Sequence, residues 1–578
     1  MQRYLSHIIH IVALFPLAIY SQDKNIKTEE VTIVKPYSPT ILDASKIKEI
    51  PVLNDSIITA KKEINYTIFS VPVASTFTPA KGKASGVKRA PREKLYNTYA
   101  AIGFGNYNTA QADFYTGRTL GRDETIDISF NHHSSQGGID NVLLDDKFFK
   151  TKLEGTYKKH KRDMYWSAWA GAQHQIYNWY GLPNQVTFDE ITLNSIEERQ
   201  TYYDAYVGMD IALENAFFKG GDILLRHFWD AEKSNETRFV LKPSFEIPLS
   251  EQSIIANFTA DYLNGGFDQS FFTEEENNYN MLLLGANPNI SLTQEDITLN
   301  LGASIYYMLD VENSDNDFFI YPQVTASYRL VEEYVTVYGG IEGTLQQNSY
   351  HGFVKDNQFL APTLNILPTD KQYDAYVGMK GKLSSNIGYD IKGSYIVENN
   401  KPLFQLNPLN AFSNPNNGYA YGNTFNVVYD DVKTIAISGA LDININSDFM
   451  LGVNAELFDY NMDEAPTAWN LPTIKASIFL DYQIGDRWAF GATILYMGER
   501  EDIFTPDNFG NPFNNVTPQL ITLGSYFDVN TTLNYKFDDQ LSAFMRLNNI
   551  AGNEYARWAN YPVQGFQLVA GAIYKFDF

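Results

Sequence analysis

From Tyr96 to its end the chain alternates apolar and polar residues in segments of roughly ten to fifteen positions, separated by turns or polar loops. In 473–484, Ile474, Ala476, Ile478, Leu480, Tyr482 and Ile484 share one face. Lys475, Ser477, Asp481 and Gln483 take the other, and Phe479 breaks the rule. Segment 373–383 sets Tyr373, Ala375, Val377, Met379, Gly381 and Leu383 against Asp374, Tyr376, Gly378, Lys380 and Lys382. Segments 320–330 and 389–397 repeat the arrangement, with Ile320, Val324 and Leu330 opposing Gln323, Thr325 and Arg329, and Ile391 and Tyr395 opposing Asp390 and Lys392. A period of two belongs to strands. One apolar and one charged face suit a wall with lipid outside and water inside, whereas the apolar faces of a soluble sandwich are rarely this rich in Tyr and Gly. The pattern predicts an all-β chain: a large antiparallel transmembrane β-barrel of the outer-membrane type.

Such barrels alternate short periplasmic turns with longer outer loops and have an even number of strands. Short turns are predicted near Lys159–Arg162, Ser250–Gln252, Thr293–Asp296, Glu332–Glu333, Ser384–Asn386, Asn446–Asp448, Gly485–Asp486 and Asp538–Asp539. Long loops are predicted near 134–146, 177–200, 264–276, 346–371, 398–420, 461–471, 499–523 and 550–565. Parity holds only if 421–443 is one long strand, and the count is then about 22. One internal echo exists: Tyr203-Asp-Ala-Tyr-Val-Gly-Met209 recurs as Tyr373-Asp-Ala-Tyr-Val-Gly-Met379. It reads as similar demands on two strand faces, the alternative being duplication.

Composition narrows the setting. The 578 residues carry a net charge of −24, no cysteine, and 15% aromatics, a share that fits the interface girdles of a barrel. The acidic balance argues against nucleic acid. The missing cysteine removes disulfides, thiolate metal sites and a lipoprotein anchor. No run of about 18 apolar residues follows the first 20, which excludes a helical membrane protein. Arg3, the apolar Ile8–Ile19 and a small-residue site at Ser21-Gln22 read as a secretory signal, residues 1–21. Residues 22–94 are polar, hold several prolines and end in the basic run Lys81, Lys83, Lys88, Arg89, Arg92 and Lys94. They read as a periplasmic extension before a barrel over 95–578. The basic run could lie in a lumen lined by Asp374, Asp390, Asp481 and Asp577, or serve as a solvated tether.

The last strand puts Phe566, Leu568, Ala570, Ala572, Tyr574, Phe576 and Phe578 on one face, the aromatic-ended pattern read by the barrel assembly machinery, with Tyr574, Phe576 and Phe578 as its signal. Upstream, Leu547-Asn548-Asn549-Ile550-Ala-Gly-Asn-Glu-Tyr555, then Tyr561-Pro562-Val-Gln-Gly565-Phe566, resembles the closing hairpin of TonB-dependent receptors. Phe566 stands where those receptors carry arginine. The resemblance implies uptake of a substrate across the outer membrane. It also implies a TonB box for the energy-coupling protein, and Glu30, Val31, Thr32, Ile33 and Val34 match that box in composition and position. Strand addition is a reasonable way to grip such a segment. Residues 22–94 are short for the family's plug domain and lack its alternating strands, so long inward loops, this segment or another protein would have to fill the lumen.

No catalytic constellation stands out: there is no Gly-x-Ser-x-Gly, His-Glu-x-x-His or phosphate-binding loop, and no cofactor is implied. Adjacent strand residues face opposite ways, so His132 and His133 make a poor metal pair. The acidic stretch Asp310, Glu312, Asp315 and Asp317 lacks the glycine and final glutamate of a calcium loop. Loop aromatics are more suggestive: Trp179, Tyr180, Phe404, Phe412, Tyr419, Phe504, Phe509 and Phe513 would either contact a ligand or partner, or pack together as a lid. Trp488 and Tyr496 would belong to the interface girdles. Two functions follow. One is a TonB-receptor-like transporter. The other is a plugless barrel acting as a structural or accessory subunit of an outer-membrane complex, with a surface lipoprotein or another barrel as partner.

Overall fold

The computed structural model describes residues 94–250, 252–410, 417–505 and 518–577. The segment Glu30–Val34, the basic run before Lys94, and Phe412, Phe509, Phe513 and Phe578 lie outside them. Twenty-two antiparallel strands form one sheet, in which each strand pairs with its neighbours along the chain. The sheet closes on itself: the first strand, Thr98–Gly105, pairs with the last, Gln567–Phe576, from Thr98↔Phe576 to Gly105↔Val569. Closure leaves no edge, the only arrangement in which strands can satisfy every backbone N–H and C=O inside hydrocarbon.

All eight predicted turns fall at one end and all eight predicted loops at the other. Four hairpins escape the sequence reading, at Arg122-Asp123 and 214–217 among the turns and at 106–109 and 231–234 among the loops, because their few polar residues blend into the flanking alternation. The long strand predicted over 421–443 exists as Phe425–Asn446, 22 residues. The loop predicted at 398–420 is shorter, because its strand runs on from Ile387 to Leu406. Asn399-Asn400 has the composition of a turn but forms a β-bulge, where the register slips between Glu398 and Lys401 and Asn400 takes φ of 51°. The bulge re-aims the strand without ending it.

The apolar faces point outward. Val377, Ile320, Ile391 and Tyr574 are 63%, 57%, 51% and 48% exposed, as a lipid-facing surface requires. Trp488 lies outward, and Tyr496 packs on exposed Phe527 with ring centroids 4.7 Å apart, as girdle residues do. Among the predicted inward acids, Asp374 is buried, Asp390 accepts the Tyr338 phenol, and Asp481 is exposed into the lumen.

The repeated heptapeptide now has a physical meaning. In both copies the Tyr at the fourth position donates its phenol to a glutamate, Tyr206 to Glu154 and Tyr376 to Glu342. In both, the glycine leaves room for an aromatic ring on the preceding strand: a Cβ on Gly208 would stand 2.4 Å from the Trp169 ring, and one on Gly378 2.4 Å from Tyr338. The first residue meets an aromatic of the following strand, Tyr203 stacked on Trp229 and Tyr373 tilted against Tyr395. Three demands at matching positions account for the echo without duplication.

Gly208→Val should therefore drive the Trp169 ring out of its seat, an overpacking cost of about 1–3 kcal/mol. Refolded barrel followed by heat-dependent migration on gels should melt several degrees lower than wild type. An unchanged melting point would show that the ring has room to spare.

Candidate functional site: the outer mouth

Strands that overshoot the membrane carry loops whose backbone must find partners away from the sheet. Here the loops fold inward over the barrel and bury a common core. Trp179 (0% exposed) and Tyr180 come from loop 179–198, Phe271 from 268–276, and Tyr350, Phe353, Phe359 and Leu364 from 347–368. Tyr419, Phe504 and Tyr561 complete it from 407–424, 498–525 and 549–566. Of the two readings of the loop aromatics, the described ones form a lid. Phe404 is partly buried against the same core and meets Trp558 edge-on at 5.4 Å.

The centre of the lid is a stack of Phe359 on Tyr561, 3.8 Å between centroids, with Tyr180 edge-on to Tyr561 at 4.8 Å. Polar side chains tie the loops around it. Tyr561 donates its phenol to the Asn423 carbonyl, Asn423 donates Nδ2 to the carbonyls of Trp179 (2.8 Å) and Gly418 (2.9 Å), and Tyr180 donates to the Pro562 carbonyl at 2.9 Å. Gly418 sits so close to its neighbour that a Cβ would fall 1.8 Å from the Glu197 carbonyl oxygen.

One loop carries a short helix, Tyr350–Asp356, capped by the Ser349 side chain accepting from Gly352 N at 3.0 Å. Its first turn is fastened to the wall. Glu236 accepts the backbone N–H of Tyr350 (2.5 Å) and His351 (3.2 Å) and the Tyr279 phenol (2.9 Å). Asp230 accepts the Tyr350 phenol at 2.7 Å. A carboxylate against the open N–H groups of a helix start is favoured by hydrogen bonding and by the helix dipole together. Below it, Arg226 pairs with Asp204 at 3.1 Å and reaches His351 Nδ1 at 3.3 Å. Burial, followed by the charges of Arg226, Lys355, Arg238 and Lys150, holds the His351 pKa down to about 3, so the ring is neutral. Elsewhere among the loops, Asp502 accepts from Leu406 N (3.0 Å) and Asn470 Nδ2 (2.7 Å), and burial pushes its pKa up to about 6.

The remaining predicted residues are scattered. Tyr574 and Phe576 stack at 5.7 Å on the wall's outer face. His132 bonds to Thr151 and Ser134, while His133, facing the other way, meets Phe148 edge-on at 5.1 Å. Asp310 caps its own turn by accepting from Asn313. The sequence reading missed the helix and its fasteners; Ser349 was the one available signal, a capping residue before an apolar pair.

The wall is similar to solved outer-membrane receptors. It matches the pyoverdine outer membrane receptor FpvA from Pseudomonas aeruginosa with a TM-score of 0.60 and 14% identity, covering 84% of this chain and 79% of that one. It matches the FrpB iron transporter from Neisseria meningitidis with a TM-score of 0.60 and 11% identity over 84% and 82% of the chains. The ferric-catecholate import receptor Fiu from E. coli gives 0.58 and 11% over 84% and 82%. No family model matches the sequence, and no curated protein matches it. The likeness is one of fold, and it bears out the receptor resemblance of the closing hairpin at that level.

The lid should respond to acid through His351. Its docked pKa lies below the free value of about 6.5, so its contribution is complete above that pH and fades as pH falls toward 3. After correction for intrinsic exchange, opening of 347–368 measured by hydrogen exchange should rise by up to about tenfold per pH unit below 6.5. His351→Gln should flatten that dependence. Identical pH profiles in the two proteins would remove His351 from the fastening.

Proposed function

We propose that this protein is an energised importer of the outer membrane, coupled to TonB through Glu30, Val31, Thr32, Ile33 and Val34. The observation that carries the reading is the 22-stranded wall, shared in fold with receptors that import iron and iron chelates. The lid supports it. A passage that admits selected solutes needs a closed resting state, and the outer loops are packed and bonded as a closure. The substrate class to test first is the ferric chelate, since FpvA binds pyoverdine and Fiu imports a ferric catecholate. In this reading the outward aromatics of the last strand serve assembly of the barrel into the membrane, and the chain performs no chemical reaction.

An extended segment that adds as a strand needs its backbone donors, and proline removes one. Thr32→Pro should abolish recovery of the energy-coupling protein in pull-downs from detergent-solubilised outer membranes, and should cut uptake of ferric chelates to the level of a deletion strain. If the wild type instead brings down a fixed set of barrels and lipoproteins that Thr32→Pro leaves unchanged, the chain is a structural subunit and the importer reading fails.

A further inference from the structure

Five neighbouring strands carry one row of polar and aromatic side chains across the outward face of the wall. Direct pairing runs His132↔Thr151↔His174↔Tyr203↔Trp229, and residues opposed in a ladder share a face. That face is the lipid side: Leu153, Val207 and Leu225, an even number of positions along the same strands, are 52%, 50% and 45% exposed. Toward the outer ends of strands on the rest of the wall, the outward positions include Ile320, Ile341, Leu457, Phe527 and Leu568. The row lies eight positions above Trp166 on its own strand, the spacing that also separates Tyr496 from Trp488. It therefore sits at the outer headgroup boundary.

The two ends of the row are satisfied locally. His132 bonds to the hydroxyls of Thr151 and Ser134 at 2.8 and 3.1 Å. His227, stacked on Trp229 at 5.1 Å, bonds to the Thr237 hydroxyl at 2.8 Å. The centre differs. Tyr203 stacks between His174 (5.1 Å, 24°) and Trp229 (5.3 Å, 14°), which fixes all three rings. The His174 imidazole, the Tyr203 phenol and the Trp229 indole N–H make no hydrogen bond among the described residues. Hydrocarbon offers such groups no partner. Two outward positions above Tyr203 on the same strand stands Arg199, exposed. Lys147, Lys233 and Lys433, also near the outer rim, pair with Asp145, Asp268 and Asp463. Arg199 makes no ion pair or side-chain hydrogen bond among the described residues, its loop neighbours Glu197 and Glu198 included. No acid occupies an outward position of these five strands above the row.

We propose that this stretch of the wall binds a phosphate-bearing lipid of the outer leaflet by its headgroup, with Arg199 on the phosphate and His174, Tyr203 and Trp229 on the oxygens beneath it. The depth fits. Four residues of strand put about 13 Å between Arg199 and Tyr203, and a tilt of about 40° turns that into roughly 10 Å of depth. The layer between hydrocarbon and water is of that order. The arginine fork offers phosphate two parallel N–H bonds. Stacked rings at this level keep an apolar body in lipid while their hydroxyl and N–H groups meet ester or sugar oxygens. The site lies on the lipid face, so it stands or falls independently of the importer reading.

The test is native mass spectrometry of the purified full-length protein in detergent, offered phosphatidic acid or, separately, diacylglycerol with the same chains. Wild type should retain one phosphatidic acid per chain, about fivefold or more over diacylglycerol. Arg199→Gln should remove that preference, Arg199→Lys should keep part of it, and Tyr203→Phe should reduce it about twofold with the ring stack retained. Lys433→Gln, which removes a paired cation elsewhere on the rim, should leave it unchanged. Heat-dependent migration on gels shows that each variant is a closed barrel. Excess inorganic phosphate should not displace the lipid; displacement would make this a site for a soluble anion and overturn the lipid reading. Equal retention of the two lipids, or a preference unchanged in folded Arg199→Gln, would also overturn it. So would a lipid-independent dimer of the wild type that Arg199→Gln abolishes, which would make the row an interface between two copies.

Discussion

A peptide N–H that faces hydrocarbon has only the neighbouring strand to donate to, and the whole molecule follows from that. Within the membrane the answer is the closed sheet, whose last strand returns to the first. Above it the strands rise to different heights, from 8 residues at Thr98–Gly105 to 22 at Phe425–Asn446. The loops that join them leave the ladder behind. Their backbone groups then need side chains or other loops, and the same constraint that closed the wall produces the lid.

The lid meets that need with a particular kind of residue. Asn423, Asn348 and Asn277 each donate a side-chain amide to loop carbonyls, Asn348 to Leu367 at 2.7 Å and Asn277 to Leu364 at 2.5 Å. Tyr202 and Tyr429 reach from the wall to the carbonyls of Gln358 and Asn365, both at 3.0 Å. Glu236 does the reverse job and takes amide protons from the start of the helix. Each side chain substitutes for a missing strand, and aromatic rings fill the space between them.

What the sequence discloses depends on which interactions set the pattern. Strand alternation was legible because each wall residue sees one of two media, and Val377 or Asp374 reports its medium directly. The long strand through 425–446 could be inferred from parity alone. The bulge at Asn399-Asn400 could not, since it arises from register with the neighbouring strand, and an Asn-Asn-Lys-Pro stretch looks like a turn in isolation. The helix at Tyr350–Asp356 is too short to show a period. Trp179 and Phe504 offered no way to choose between ligand contact and lid, because their burial depends on loops from six parts of the chain meeting at one place. Glu236 and Asp230 looked like any other inward polar residue, and only the helix that they hold marks them out.

The way the lid is bonded also constrains how it can open. Fasteners such as Glu236 and Asn423 each hold more than one group, often from different loops, so releasing one loop strands donors and acceptors on another. Each buried group left unpaired costs about 1–3 kcal/mol, and the cost is avoided only if its partners move or water enters with the opening. Neighbouring loops are therefore coupled through Tyr561, whose ring touches Phe359 and Tyr180 while its hydroxyl holds Asn423. Opening by fraying of single loops is disfavoured relative to a concerted release in which the stack parts and water follows. A mouth built this way is either shut or substantially open, which is the behaviour a gate needs and a loose fringe of loops cannot supply.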